Sequence, residues 1–156
     1  MFHKFLKVLF LLSLLGLYQG CGYQPLLTEK YQKFSVKNFN IDGDKKLGQI
    51  LANNFNKIEN SENDLIFNIK ATKKKDVSSR SSIGTATEYT VNVSFNLNVV
   101  SENNNEKIFS QNFSQNGTYK ASTLHIDTLR REKKIVDNII KNIAEQITNR
   151  LNTIYK

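Results

Sequence analysis

Residues 88–99 read EYTVNVSFNLNV, and this stretch decides the fold. Apolar and polar side chains alternate along it without a break, which is the pattern of a strand that buries one face. The sequence therefore predicts a long strand with an apolar face toward a core and a polar face away from it. The apolar row consists of Tyr89, Val91, Val93, Phe95, Leu97 and Val99.

Three further segments predict the strands that accompany it. Residues 65–71 alternate in the same way and run on into the polar residues 72–75. After the long strand, residues 101–106 (SENNNE) predict a hairpin loop and residues 107–119 predict its partner strand. Residues 34–41 (FSVKNFNI) predict a short first strand. The side chains expected to face inward are Leu65, Phe67, Ile69, Ala71, Phe109 and Phe113.

Two segments carry the apolar spacing of amphipathic helices. The first begins at Asp44, which suits the N-cap, and Asn60–Ser61 suits its end; Gly48 costs it about 1 kcal/mol relative to Ala, so it needs packing from outside. The second begins at Thr123 or Asp127 and ends at Ile154. The first apolar stripe is Leu47, Ile50, Leu51, Phe55 and Ile58. The second is Leu129, Val136, Ile139, Ile140, Ile143, Ile147, Leu151 and Ile154.

The order of these elements is β-α-β-β-β-α. Hairpin-linked strands with two amphipathic helices predict an α+β two-layer sandwich, in which a four-stranded, mostly antiparallel sheet carries both helices on one face. The 156 residues suit a single domain, and they contain no internal repeat.

The N-terminus reads as an export signal. Lys4 and Lys7 precede the apolar run 8–17, which is too short to span a bilayer, and small residues lead to Cys21. The predicted divisions are a lipoprotein signal peptide over 1–20, a lipidated arm over 21–32 and one α+β domain over 33–156. Cys21 is the expected lipid attachment site, and the absence of Asp after it favours the outer membrane. The alternative is an ordinary signal peptide or anchor with an incidental cysteine.

The amino-acid composition narrows the range of possible functions. The single cysteine excludes an intramolecular disulfide and a thiolate metal cluster, and two histidines leave little for a His-based site. The sequence has no Gly-rich phosphate loop and no marked nucleophile, so we expect no enzyme, no cofactor and no metal. His125 reads as a surface residue near a helix start. The net charge of +8, which becomes +6 when Lys4 and Lys7 are removed, points to a polyanionic partner.

Two basic clusters are candidates for contact with that partner. The first consists of Lys70, Lys73, Lys74, Lys75 and Arg80, at the end of the second predicted strand and in the loop after it; the last four are the candidate ligand contacts. Lys73 and Lys75 continue the apolar row of that strand, so this end is expected to project beyond the core, where phosphates could meet the lysines and acyl chains could meet apolar surface. The alternative is a solvated strand end in a lysine-rich protein.

The second basic cluster lies in the first turns of the last helix, where cations oppose the helix dipole and Glu132 offsets only part of that cost. An anionic partner would explain the placement, although a solvated helix face explains it as well. Its members are Arg130, Arg131, Lys133 and Lys134.

Short motifs along the chain resemble one known family. Residues 21–27 (CGYQPLL) resemble the mature start of the lipopolysaccharide-assembly lipoprotein LptE, and residues 84–89 (GTATEY) resemble the family's entry into its central hairpin. Residues 144–151 (AEQITNRL) resemble its terminal helix, and residues 47–51 (LGQIL) fit its first helix. The four motifs occur in the family's order and cover essentially the whole chain after Cys21.

The resemblance implies a function and partners. Proteins of the LptE family sit as a plug inside the LptD β-barrel of the outer membrane, help it to assemble and bind lipopolysaccharide. An alternative is a free outer-membrane lipoprotein that has a structural role in the envelope. A nucleic-acid-binding module is a third reading of the positive charge, and export disfavours it. The expected location is therefore the periplasmic side of the outer membrane, with an LptD-like barrel and lipopolysaccharide as partners and no nucleic acid.

Overall fold

The computed structural model describes residues 32–55, 58 and 61–155, so that Cys21, the signal segment 1–20 and nearly all of the arm lie outside it. Within these residues the elements follow the predicted order. They are β1 (Ser35–Gly43), α1 (Lys45–Ala52), β2 (Asp64–Arg80), β3 (Ala86–Ser101), β4 (Lys107–Lys120) and α2 (His125–Ile154).

The strands form one four-stranded sheet in the order β1-β2-β3-β4. β1 runs parallel to β2, and the other two pairs are antiparallel. Both helices contribute side chains to one core against the same face of the sheet. The predicted α+β sandwich with a mostly antiparallel sheet is therefore confirmed.

The long central strand behaves as its alternation predicts. Val91, Val93, Phe95, Leu97 and Val99 are completely buried, and Tyr89 is half-buried at the end of the row. On β4, Phe113 is buried and Phe109 is half-buried against the same core. The intervening polar residues of β3 lie on the opposite face of the sheet, which keeps the two faces chemically distinct.

Close contact with the sheet explains two glycines around α1. Gly43 ends β1 with φ +77°, and a Cβ there would lie 2.3 Å from the carbonyl oxygen of Ala71. At Gly48 a Cβ would lie 2.4 Å from Cγ2 of Ile41, so the missing side chain lets α1 approach β1 closely. The packing that this helix needed is therefore supplied by β1.

The first helix is shorter than predicted. Asp44 is the N-cap, and its Oδ1 accepts a hydrogen bond from the Leu47 amide at 3.0 Å. The helix ends at Ala52, however, and not at Asn60–Ser61. Asn residues are weak helix formers, and Nδ2 of Asn54 donates to the Ile50 carbonyl at 2.7 Å, which satisfies a carbonyl at the helix end. Phe55 then packs on Phe67 with ring centroids 5.2 Å apart.

The second helix starts at His125, between the two predicted starts, and His125 is exposed as expected. Most of its apolar stripe is buried, but the two ends are not: Leu129 and Ile154 are each 42% exposed. The prediction that they belong to the core is therefore wrong. A polar side chain, Glu132, is buried beside Leu129 instead.

Alanine substitutions in the apolar stripe of α2 should show which of its residues belong to the core. Ile143→Ala should lower the free energy of unfolding by about 2–5 kcal/mol because it opens a cavity at a completely buried site. Ile154→Ala is the matched control and should cost less than about 1 kcal/mol. Equilibrium urea denaturation measures both, and equal losses would contradict the assigned boundary of the core.

Candidate functional site

The first basic cluster does not form a single patch. Lys73 and Lys75 extend the buried row of β2, whereas Lys74 lies on the opposite face of the sheet beside Asn92. Arg80 ends the strand, and one of its guanidinium nitrogens donates to the Gly84 carbonyl at 2.9 Å. The exposed part of β2 does project beyond the core, but Lys73 and Lys75 lie against α2.

The two lysines meet at one carboxylate of that helix. Nζ of Lys73 lies 2.9 Å from Oε1 of Glu132, and Nζ of Lys75 lies 2.8 Å from Oε2. The hydroxyl of Tyr119 on β4 donates to the same Oε2 at 2.8 Å. Glu132 is 9% exposed, whereas the lysine side chains are about one-third exposed, 34% each. We call these four residues the Glu132 cluster.

Two aromatic rings make cation–π contacts with Lys75. Nζ of Lys75 lies 4.4 Å from the ring centroid of Tyr89 and 5.6 Å from that of Tyr119. The two rings stack with centroids 5.6 Å apart. The cation–π contacts and the hydrogen bonds therefore join β2, β3, β4 and α2 at the polar end of the core.

The cluster is electrostatically stabilised in its ionised form. Burial raises the pKa of the Glu132 carboxyl, but the hydrogen bonds from Lys75, Lys73 and Tyr119 outweigh it and lower that pKa from 4.5 to about 2. The hydrogen bond to Glu132 raises the pKa of Lys75 above its ordinary value. Burial raises the pKa of the Tyr119 hydroxyl. Two ammonium groups and one carboxylate leave one excess positive charge.

The second basic cluster is largely held by local contacts. Arg130 lies 3.4 Å from Asp127, and Lys133 lies 2.8 Å from Asp137. Arg131 donates to the carbonyl of Lys120 at 3.2 Å, at the end of β4. The carboxylate of Glu132 contacts Lys73 and Lys75 of the first cluster. It therefore does not pair with the cations of the second cluster, whose cost it was expected to offset in part. These residues form an exposed helix face whose ion pairs contribute little to stability.

The sheet face opposite the helices carries mainly polar side chains, and we call it the open face. None of the elements that the structure describes packs on it. One row across all four strands consists of Asn40, Asn68, Asn98 and Ser110, in register. Further rows add Asn92, Ser94, Asn96, Asn112, Ser114 and Asn116.

Hydrogen bonds between neighbouring strands order this open face. Nδ2 of Asn40 donates to Oδ1 of Asn68 at 2.8 Å, and Oγ of Ser94 donates to Oδ1 of Asn112 at 2.8 Å. Asn92 donates to both Ser114 and Asn116. The result is a surface of amides and hydroxyls that also carries Lys70 and Lys74 of β2, and it retains hydrogen-bonding capacity toward a partner.

The two ends of the molecule differ in surface chemistry. The β2–β3 turn, the end of β4 and the start of α2 lie together, and apolar side chains are exposed there among cations. The start of β1 and the end of α2 lie at the opposite end, where the Lys33 amide donates to Oδ1 of Asn152 at 3.1 Å. We call the first the hairpin end. Its exposed apolar residues are Val77, Ile83, Leu124, Ile126 and Leu129.

The described residues contain no candidate metal site and no helix that could span a membrane. Within the described ranges, no group of three His, Cys, Asp or Glu side chains could hold a metal ion. None of the described helices is long and apolar enough to cross a membrane. Cys21 lies outside these residues, so its surroundings are not described.

The sequence matches one family description, "LptE: Lipopolysaccharide-assembly", over residues 31–151. The chain belongs to the LptE family. The match covers all but the last residues of α2 and confirms the resemblance carried by the short motifs. As a member of this family, the protein is a lipopolysaccharide-assembly lipoprotein. No curated protein sequence matches the chain.

Solved structures support the LptE-family fold. The rare lipoprotein B from Shewanella oneidensis superposes with a TM-score of 0.54 at 11% identity, covering 76% of this chain and 96% of that one. The minor lipoprotein from Acinetobacter baumannii gives 0.54 at 14% identity, with 78% and 92% covered. Lipoprotein B from Nitrosomonas europaea gives 0.51 at 17% identity, with 74% and 83% covered. At these identities the likeness shows the fold alone.

The Glu132 cluster predicts how stability depends on pH. Because the carboxyl has a lower pKa in the folded chain, its contribution is present above about pH 4.5 and is lost as the pH falls toward about 2. Glu132→Gln should remove this part of the acid destabilisation, up to about 3 kcal/mol. Urea denaturation between pH 6 and 2 measures it. Asp137→Asn is the control, and a wild-type pH profile in Glu132→Gln would contradict the assignment.

Proposed function

We propose that this protein is the non-enzymatic plug subunit of an outer-membrane lipopolysaccharide translocon. In this proposal residues 1–20 are removed, Cys21 carries the lipid anchor, residues 21–32 are the arm, and residues 33–156 are the domain. The domain faces the periplasmic side, sits in an LptD-type β-barrel, assists its assembly and binds lipopolysaccharide. Membership of the lipopolysaccharide-assembly family supports the role.

The open face is the observation that carries the barrel partnership. Its side chains are mainly amides and hydroxyls over all four strands, and the charged side chains among them include Asp42, Lys70, Lys74 and Asp76. The interior of a transmembrane β-barrel is polar, so it can exchange hydrogen bonds with the amides and hydroxyls and can offer partners to the charged side chains. An apolar partner would bury amides such as those of Asn96 and Asn98 without hydrogen bonds, which disfavours it.

The hairpin end supports contact with an amphiphilic anion. Lys74 and Arg80 are exposed there, and Lys73 and Lys75 lie on the other face of β2 with about one-third of each side chain exposed, 34%. Exposed apolar side chains such as Ile83 and Leu129 lie at the same end. Lipopolysaccharide carries phosphates and acyl chains, so both surface types have a counterpart in it. The start of β1 lies at the opposite end of the domain from these side chains.

Purification from outer membranes tests the proposal. The tagged full-length protein is extracted in mild detergent, and the eluted species are identified by intact mass. We expect a large β-barrel at near 1:1 stoichiometry and a chain that begins at an acylated Cys21. Acylated protein without a barrel would favour the alternative of a free envelope lipoprotein, and an unprocessed chain would contradict the anchor.

Charge placed on the open face should weaken the barrel complex. Asn96→Lys with Ser114→Lys puts two unpaired cations on exposed positions, so folding is expected to be unaffected while the co-purified barrel falls at least about tenfold. Asn138→Lys with Asn142→Lys, on the exposed side of α2, adds the same two charges and is the matched control. Equal barrel recovery from the open-face and α2 variants would rule out the open face as the contact.

Neutral substitutions at the hairpin end should weaken lipopolysaccharide binding. Lys74→Gln with Arg80→Gln removes two exposed cations without disturbing the core, and the affinity should fall about tenfold. Lys33→Gln with Lys107→Gln removes two cations from the opposite end and is the control. The readout is equilibrium binding of fluorescent lipopolysaccharide. A loss shared by both pairs would mean that only net charge matters.

A further inference from the structure

The Glu132 cluster has the composition of an anion-binding site. Three donors, the ammonium groups of Lys73 and Lys75 and the hydroxyl of Tyr119, converge on the two oxygens of one carboxylate at 2.8–2.9 Å. Charged donors around an acidic group form the strongest hydrogen bonds in proteins. The same three donors could bind a phosphate, which has three acceptor oxygens.

Charge favours phosphate over carboxylate at this position. Glu132 neutralises only one of the two lysines, so one positive charge remains in a partly desolvated place. A phosphate monoester carries about −1.5 to −2 at neutral pH and would neutralise both. The lysine side chains are about one-third exposed, so the site is open to a ligand from solvent although Glu132 itself is buried.

A cleft beside the Glu132 cluster provides room for a ligand and for movement of the Glu132 side chain. It lies between the start of α1 and α2, has a volume of about 200 Å³, and both Lys73 and Glu132 line it. Its apolar residues include Leu47 and Leu129, and Lys133 lies on its rim. Because Lys133 is already paired with Asp137, Lys46 is the cation in this cleft that a carboxylate leaving Lys73 and Lys75 could approach.

We propose that Glu132 is the internal occupant of an anion site, and that a phosphate group of an amphiphilic ligand displaces it from Lys73, Lys75 and Tyr119. This inference rests on the proposed function, because it assigns the lysines of the predicted ligand site a second state. Glu132 thereby sets the affinity: the ligand must replace an existing ion pair. Only a group with more charge than a carboxylate gains from the exchange.

The test compares Glu132→Gln with the wild-type full chain, using two probes: inorganic phosphate by calorimetry, and lipopolysaccharide by equilibrium binding. Glutamine keeps an acceptor for the donors but has no charge. Both probes should bind at least about tenfold more tightly, the factor of one charge-assisted hydrogen bond. Glu145→Gln, the same substitution on α2 outside this cleft, should bind like the wild type. Adding Lys75→Gln to Glu132→Gln should remove the gain.

The outcomes separate this inference from the proposed function. If Glu132→Gln binds both probes as the wild type does, the exchange is refuted, and lipopolysaccharide binding by the two chains still supports the function. If it binds phosphate more tightly but neither chain binds lipopolysaccharide, the anion site stands and the proposed ligand fails.

A second variant covers the case in which Glu132→Gln does not fold. Lys73→Gln leaves the neutral pair of Lys75 and Glu132 and removes the excess charge. It should weaken phosphate and lipopolysaccharide binding about tenfold. Unchanged binding of both probes would overturn the exchange.

Discussion

The structure depends on the alternation of β3. Its apolar row is completely buried from Val91 to Val99, and its polar row is excluded from the core because unpaired amides are costly to bury. A shift of one residue in the pairing of β3 would exchange the two faces, so the register with β2 and β4 is strongly specified. Both helices must then lie on the apolar side. The open face is the direct consequence of this one constraint.

The sequence was sufficient for the features that depend on local periodicity. The strands, the inward row of β3, the loop at 101–106 and the stripe of α2 follow from spacings of two and of three to four residues. The helix end at Ala52 was missed because the spacing of Phe55 and Ile58 suits a helix as well as a turn that returns to the core. The exposure of Leu129 and Ile154 depends on which side chains of other elements cover each end of the helix, and periodicity does not contain that information.

The Glu132 cluster could be predicted from the sequence only in part. Lys73 and Lys75 are 59 and 57 residues from Glu132, so no local pattern joins them. Yet the lysines extend an apolar row of a strand, and Glu132 occupies the apolar stripe of a helix. Charged residues at core positions on two elements that pack together should be paired with one another first. The four cations of the predicted ligand site therefore divide into an exposed pair and a pair held by Glu132.

These features give each side of the domain a distinct role. The helix side makes the core, the open face offers hydrogen bonds to a polar wall, and the hairpin end offers cations beside apolar side chains. The most direct test is a cryo-EM structure of the complex purified from outer membranes. The account predicts a barrel whose inner wall lies against Asn68, Asn96 and Ser114, with the hairpin end turned away from Cys21. A barrel wall packed on the exposed side of α2, with the open face in solvent, would contradict it.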